Sequence, residues 1–347
     1  MAKKDNKLPQ VSQEQFQNKQ LSIFQTFLTN SEAEDEDVSN AIPLWDTIPR
    51  YSVSARAMIK MRDENGYLKL HETYFQHKGT EYKVTIHPAM VKERDKEGNE
   101  TVKSYYPSDS ECLVEEALRK LASVQSMGVH EPSKKTGVLF TLYQLRQELI
   151  NRGHSRTCAE LVKSLNILST SIIEITNISN KGNGVARSPY FPRLATVTRA
   201  DYDANPDSKW YVEFHSMITQ SLDKITFRQF NYSVTMQFKS QLTRWLHKLL
   251  IEKWTNASML HSFAMQYSTV YRDSGLLNEY SRTRDAIKAL SNCIDELIER
   301  NVLSRVEHKN IYGENKKKID DVVYTLYPTQ KFVGEVKAAN ARLRDLK

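Results

Sequence analysis

One predicted helix, beginning at Ser281, carries polar side chains suited to binding a nucleic acid. These side chains are Arg282, Arg284, Lys288, Ser291 and Asn292. The apolar residues recur at three- and four-residue spacing on the opposite side of the helix: Ile287, Leu290, Ile294, Leu297 and Ile298. Arginine matches the O6 and N7 acceptors of guanine, and asparagine matches the edge of adenine. The pattern predicts a recognition helix for the major groove; the alternative is an ordinary solvated helix face.

Two weaker sets of basic residues accompany this helix. A predicted hairpin after it carries a lysine run, Lys316, Lys317 and Lys318. A lysine run at that place is suited to phosphate or to the minor groove. An earlier predicted helix carries Arg156 and Lys163, together with the acidic Glu160. We expect this earlier helix to contact DNA as well; the alternatives are a dimer surface or an internal interface.

The sequence lacks the residue patterns of common catalytic and metal sites. It has no G-x-x-x-x-G-K-[ST] phosphate loop, no His-x-His pair, no G-x-S-x-G elbow and no H-E-x-x-H motif. The three cysteines, Cys112, Cys158 and Cys293, form no C-x-x-C pair, which indicates reduced thiols in a cytosolic protein. We therefore expect no enzyme activity, no cofactor and no metal.

Two successive segments show the same predicted order of elements. Each has a helix, a short helix, a turn, a capped helix, and two strands joined by a glycine-containing tip. In the first segment, Ser108 and Glu111 form a capping box and Ser155 caps the later helix. Its two strands are predicted over residues 171–176 and 194–198. This order is that of a winged helix.

The second segment repeats the order of the first. A long helix is predicted over residues 234–254 and a short one near residues 268–277, followed by the helix capped by Ser281. Strands are predicted at residues 302–306 and 322–327, on either side of the lysine run. Because the order occurs twice, it favours two winged-helix units over a chance pattern in either copy.

Composition and charge set the broad class. Glycine and proline are few, 11 and 10 in 347 residues, which favours a helix-rich α+β fold. Residues 1–40 contain four lysines and seven acidic residues, so their net charge is −3. Because the net charge of the whole chain is +7, residues 41–347 carry a net charge of +10. A basic body of this kind favours a polyanionic partner. We predict four segments: a flexible acidic arm (1–40), a first winged-helix domain with its leading segment (41–200), a second winged-helix domain (201–330) and a helical tail (331–347).

The chain resembles the RepA/TrfA type of iteron-binding plasmid replication initiators over roughly residues 41–330. Residues 42–45 (IPLW) and 56–58 (RAM) are similar to the entry segment of that family. The first unit is matched by residues 113–121, 138–145 and 160–168, and the second by residues 210–214, the helix reaching residue 254, and residues 282–303. The lysine run and the acidic arm lie outside the resemblance.

The resemblance implies a mechanism and partners. The protein would bind direct repeats of double-stranded DNA at a plasmid origin, help to melt an adjacent A·T-rich segment and recruit the host initiator and the replicative helicase. A homodimer is one option that the sequence leaves open. The alternative functions are a winged-helix transcriptional regulator and a nicking or priming enzyme. No apolar run reaches the roughly 20 residues of a membrane span and no signal peptide is visible, so we expect a bacterial cytoplasmic protein without a membrane partner.

Overall fold

The computed structural model describes residues 37–94, 98–123, 127–179, 184–196, 208–313 and 319–346. These ranges contain ten helices and fifteen strands, so the expectation of a mixed α and β protein is confirmed. Residues 1–36, which make up most of the predicted acidic arm, lie outside the described residues, as does the lysine run at 316–318.

The chain enters through a buried segment and two hairpins. The bounds of these elements are β1 Val38–Ala41, α1 Ala55–Met61, β2 His71–His77, β3 Thr80–His87, β4 Ala89–Arg94 and β5 Glu100–Tyr105. The hairpin β4–β5 packs on a helix of the first unit through Val91, Tyr105 and Ile167.

The first unit follows, with α2 Asp109–Ala122, β6 Gly128–Glu131, β7 Lys135–Phe140, α3 Leu142–Asn151, α4 Cys158–Thr170, β8 Ile172–Asn177, β9 Val185–Pro189 and β10 Arg193–Ala195. The predicted capping box is present, since the backbone N–H of Ser108 donates to Glu111 at 2.9 Å. The predicted cap at Ser155 is wrong: Thr157 caps α4, because its hydroxyl accepts from the backbone of Glu160 at 3.2 Å.

The sheet of the first unit departs from the predicted order. The strand that returns to β8 is β9, whereas the segment predicted to return, residues 194–198, begins in β10 and pairs with a different strand. One sheet has the order β2-β3-β8-β9, and β7 lies in a second sheet, β10-β11-β7-β6, whose β11 is Trp210–Glu213. Because β7 does not join the β8–β9 hairpin, the first unit shares the helix order of a winged helix but not its simple three-stranded sheet.

The second unit contains the predicted helices and the two predicted strands in sequence order. Its bounds are α5 Ser216–Asp223, β12 Arg228–Asn231, α6 Tyr232–Gln237, α7 Gln241–Lys253, β13 Phe263–Gln266, α8 Tyr267–Ser274, α9 Thr283–Glu299, β14 Leu303–Tyr312, β15 Ile319–Pro328 and α10 Gln330–Asp345. Of these elements, α5, β12 and β13 were not predicted. The sheet order is β13-β15-β14, with all neighbours antiparallel. Gly275 ends α8 in the left-handed conformation, φ 64°, which an L side chain adopts only with strain.

Two helix boundaries of the second unit differ from the prediction. The single helix predicted over residues 234–254 is broken at Phe238–Ser240, where Phe238 is extended and buried and the Ser240 hydroxyl caps α7 by accepting from Leu242 at 3.1 Å. Helix α9 begins at Thr283, and its N-cap is Arg282. The N-cap therefore lies one residue after Ser281, the predicted N-cap. Local periodicity did not show the break because both halves keep an apolar face.

One continuous core runs through both units, and residues 40–54 lie inside it between α2 and α7. Six charged side chains meet there, and we call them the buried ion network: Asp46, Arg50, Glu115, Glu116, Arg119 and Lys248. Glu115, Glu116 and Arg119 belong to α2, and Lys248 belongs to α7. The network therefore joins α2 of the first unit to α7 of the second unit through the entry segment.

Candidate nucleic-acid interface

Helix α9 has one buried and one exposed side. Its buried residues are Ala286, Leu290, Cys293, Ile294 and Leu297. On the opposite side, Arg284, Lys288 and Asn292 are exposed at four-residue spacing. With a rise of 1.5 Å per residue, these three side chains form a stripe about 12 Å long. We call them the α9 stripe; the structure brings these three predicted residues together, with Arg282 exposed just before them.

The charge of the exposed side changes along α9. None of Arg282, Arg284 and Lys288 makes a salt bridge within the described part of the chain. One exposed acidic residue, Asp285, lies in the first turn beside these three basic residues, and two more, Asp295 and Glu299, are exposed in the second half of the helix. The basic half is also the N-terminal half, where the helix dipole favours an anion. The surface therefore suits a polyanion approached by the N-terminal end of α9.

Ser291 lies apart from the α9 stripe. It is half-buried, and its hydroxyl lies 3.2 Å from the Tyr324 hydroxyl of β15. The predicted contact residue thus faces the flank where α9 packs on the hairpin. Its polar group is already hydrogen-bonded inside the protein.

The hairpin β14–β15 extends the surface beside α9. Tyr324 and Val322 of β15 are buried, and their cross-strand partners on β14 are His308 and Asn310. Directly opposed residues share one face of an antiparallel pair, so His308 and Asn310 lie on the face turned toward α9. His308 is exposed. The sequence interpretation missed these two residues, although the alternation of β15 contained the signal. The predicted contacts Lys316, Lys317 and Lys318 lie between the two strands, outside the described residues.

In the first unit, Lys163 is engaged inside the protein. Its ammonium lies 2.5 Å from the Glu93 carboxylate of the β4–β5 hairpin and 4.0 Å from the centre of the Tyr105 ring. Burial alone would lower the pKa of Lys163, but the hydrogen bonds to Glu93 and Tyr105 outweigh it and raise the pKa. The hairpin therefore covers this flank of α4 and neutralises the charge that was predicted to meet DNA.

Arg156 lies at the start of α4 and is half-buried. Its guanidinium donates to the Ser155 carbonyl at 2.8 Å and to the Ser110 hydroxyl at 3.4 Å. Glu160 is turned back on the helix start, where it accepts from the Thr157 backbone at 2.8 Å, and this hydrogen bond lowers the pKa of Glu160. Helix α4 and the turn before it therefore present a weaker basic surface than the N-terminal half of α9 does.

The described residues contain no group of three or more His, Cys, Asp or Glu side chains placed to hold a metal ion. Burial raises the pKa of the Cys112 thiol to about 12, which makes it a poor nucleophile at neutral pH. Over the same ranges, no helix combines the length and apolar character needed to cross a membrane.

Comparisons with known proteins found similarity in solved structures. No protein-family model matches the chain, and no curated protein matches it in sequence. Domains 2 and 3 of RctB match with a TM-score of 0.48 and 12% identity, over 85% of this chain and 99% of that one. A selenomethionine form of the same domains matches with a TM-score of 0.49 and 12% identity, over 82% and 97%. The Pi initiator protein in complex with iteron DNA matches with a TM-score of 0.41 and 13% identity, over 64% and 91%.

Proposed function

We propose that this protein is a replication initiator that binds direct repeats in double-stranded DNA through two tandem units, each with the helix order of a winged helix. The observation that carries the proposal is the α9 stripe. Arg284, Lys288 and Asn292 are exposed and aligned on the helix that the element order assigns to recognition. In this role α9 enters the major groove with its N-terminal end, and its arginines contact base edges.

The hairpin and the first unit have supporting roles in this proposal. Lys316, Lys317 and Lys318 neutralise phosphates beside the groove that α9 occupies. The first unit reaches a neighbouring groove on the same side of the duplex with Arg156 at the start of α4. Binding of several copies to a repeat array bends the DNA and favours melting of an adjacent A·T-rich segment. The host initiator and the replicative helicase then act on the opened DNA in the bacterial cytoplasm.

A footprint on the DNA that flanks the gene tests this function. We expect protection of tandem direct repeats, each about two helical turns long, beside an A·T-rich region. Two non-identical units in one chain fit a direct repeat, whereas a symmetric operator calls for a two-fold dimer. Protection of a single palindrome would instead support a transcriptional regulator. We propose no catalytic step, so supercoiled DNA carrying the repeats should remain unnicked after incubation with Mg²⁺.

Replacing Arg284 by alanine should weaken binding to the protected repeat by about 1–3 kcal/mol, since one bidentate base contact is lost. Titration of a labelled duplex measures the change. Asp295→Ala provides the control, because it removes a charge from the same exposed side but from the acidic half of α9. An Arg284→Ala protein that binds the repeat as tightly as the wild type would show that α9 does not read the bases.

Replacing Lys316, Lys317 and Lys318 together by alanine should reduce affinity for all duplexes alike. Affinity decreases with salt, and each lost phosphate contact makes the negative slope of log affinity against log salt less steep by about 0.9. The slope of the triple variant should therefore be less steep than that of the wild type by up to about 3. Affinity measured from low to high salt on specific and random duplexes provides the test. The control is the double variant Lys331→Ala, Lys337→Ala. Both lysines are exposed on α10, and this helix begins after the end of β15 that is far from the hairpin tip. A loss confined to the specific duplex would contradict the phosphate role.

A further inference from the structure

Residues 232–240, which we call the bridge, lie between the helix-turn-helix parts of the two units. The bridge comprises α6 and the extended residues Phe238, Lys239 and Ser240 before α7. One of its sides contacts the turn between α3 and α4, and the other contacts the second half of α9. The two helices assigned to DNA are thus connected through one short element.

On the side of the first unit, the turn residues bind the bridge through polar groups. Arg152 donates a hydrogen bond to the Ser233 hydroxyl, and its guanidinium lies 5.1 Å from the centre of the Tyr232 ring. The His154 Nε2 lies 2.7 Å from the Met236 carbonyl oxygen. Because Arg152 and His154 lie in the turn between α3 and α4, these contacts hold the turn that leads into α4.

On the side of the second unit, the carboxylate of Glu296 on α9 is the main partner. One of its oxygens accepts from the Lys239 backbone at 2.6 Å, and the other accepts from the Thr243 hydroxyl at 2.6 Å. Arg300, just after α9, donates to the Gln237 side chain at 3.0 Å. These contacts lie at the end of α9 opposite to its basic half, so they hold the helix without covering the α9 stripe.

The bridge itself is anchored in the core. The side chains of Tyr232, Met236 and Phe238 are buried, and the Thr235 hydroxyl lies 2.7 Å from the ring of the buried His247. The Asn231 side chain caps α6 by accepting from Val234 at 3.0 Å. An element fixed in this way transmits position between its two sides because it has little freedom to tilt or slide.

We propose that the bridge sets the distance and rotation between α4 and α9, and thereby the spacing between the two halves of each DNA repeat that the protein accepts. This inference rests on the proposed function. Each inserted base pair rotates one half-site by about 35° and moves it about 3.4 Å along the duplex axis. A pair of helices held by a rigid bridge cannot follow that displacement, so a changed spacing breaks contacts at one of the two helices.

The test compares duplexes that differ only in spacing. The probe is a duplex selected by the full-length protein from a random-sequence library, together with versions in which two base pairs are inserted or deleted between the two protected grooves. We expect the wild type to bind the original spacing at least about 10-fold more tightly than either altered duplex. Glu296→Ala, at one side of the bridge, and His154→Ala, at the other, should each reduce this ratio to below about 3-fold.

Glu299→Ala is the matched control for Glu296→Ala. Glu299 lies on the same helix and carries the same charge, but it is exposed and is not part of the bridge contacts. Glu299→Ala should therefore keep the wild-type ratio, and thermal unfolding checks that every variant is folded. If both bridge variants, folded, keep the wild-type ratio, the bridge does not set the spacing.

The wild-type protein separates the inference from the function on which it rests. If the wild type binds a selected duplex tightly and specifically but with the same affinity at every spacing, the proposed role of the bridge is wrong and the DNA-binding function stands. Failure to select any duplex from the library would overturn both. A strong spacing preference that Glu296→Ala and His154→Ala weaken and Glu299→Ala preserves supports the assignment.

Discussion

Replacing Asp46 by asparagine should lower the free energy of unfolding by about 3–5 kcal/mol, the usual cost of removing one partner from a buried ion pair. Asp46 lies at the centre of the buried ion network. Its two carboxylate oxygens accept from Arg119 at 2.7 and 2.9 Å, and one of them lies 3.4 Å from the Lys248 ammonium. The neutral amide would leave these buried cations short of one negative charge.

The Asp46→Asn variant should also loosen the junction between the units. Asp46 accepts the backbone N–H of Ile42 at 2.6 Å, so it holds the entry segment as well as α2 and α7. Urea unfolding measures the loss as a lower midpoint. Asp295→Asn is the control, because Asp295 is exposed on α9 and its neutralisation should change stability by less than about 0.5 kcal/mol. Equal midpoints for Asp46→Asn and Asp295→Asn would contradict the assigned role of the network.

The network also predicts the direction of the pH dependence. Burial alone would raise the pKa of Asp46, but Arg119 and Lys248 outweigh burial and hold that pKa well below its usual range. An aspartate whose pKa is depressed by folding stabilises the folded state at any pH above its pKa in the unfolded chain, which is about 4. This stabilisation is lost progressively as the pH falls below that value. Wild-type stability should therefore decrease below about pH 4, and Asp46→Asn should show a smaller decrease.

Replacing Leu290 by alanine should lower the free energy of unfolding by about 2–5 kcal/mol. Leu290 is fully buried on the core side of α9. Its truncation to alanine would therefore leave a cavity in the core. Because the same helix carries the α9 stripe, DNA binding should fall at temperatures where the second unit is partly unfolded and recover at lower temperature. Thermal unfolding and duplex titration over the same temperature range measure both effects.

Lys288→Ala gives the opposite pair of results. Lys288 is exposed two residues earlier on the same helix, so its truncation should leave stability within about 0.5 kcal/mol of the wild type and weaken DNA binding at every temperature. The two variants together test which side of α9 faces the core. If Lys288→Ala destabilised the protein and left its affinity for DNA unchanged, the assignment of the two sides would be wrong.

The amino-acid sequence by itself determined the features that depend on neighbours within about four residues. The spacing of Leu290, Ile294 and Leu297 was sufficient to place Arg284 and Lys288 on the exposed side of a helix, because the helical period alone separates the two faces. The capping box of Ser108 and Glu111 is equally local. The order of the helices followed from such signals, whereas the return strand of the first unit was predicted wrongly.

The tertiary structure decided the features that depend on partners distant in the chain. Glu93, in a hairpin 70 residues earlier in the chain, forms an ion pair with Lys163. This ion pair neutralises a charge that was predicted from the sequence to contact DNA. Strand β7 pairs with β11 instead of the hairpin that follows it, and Asp46 meets Lys248 only because the two units pack around the entry segment. No local pattern contains these pairings, since many distant residues have the right chemistry and only the packing of the whole chain brings one of them into contact.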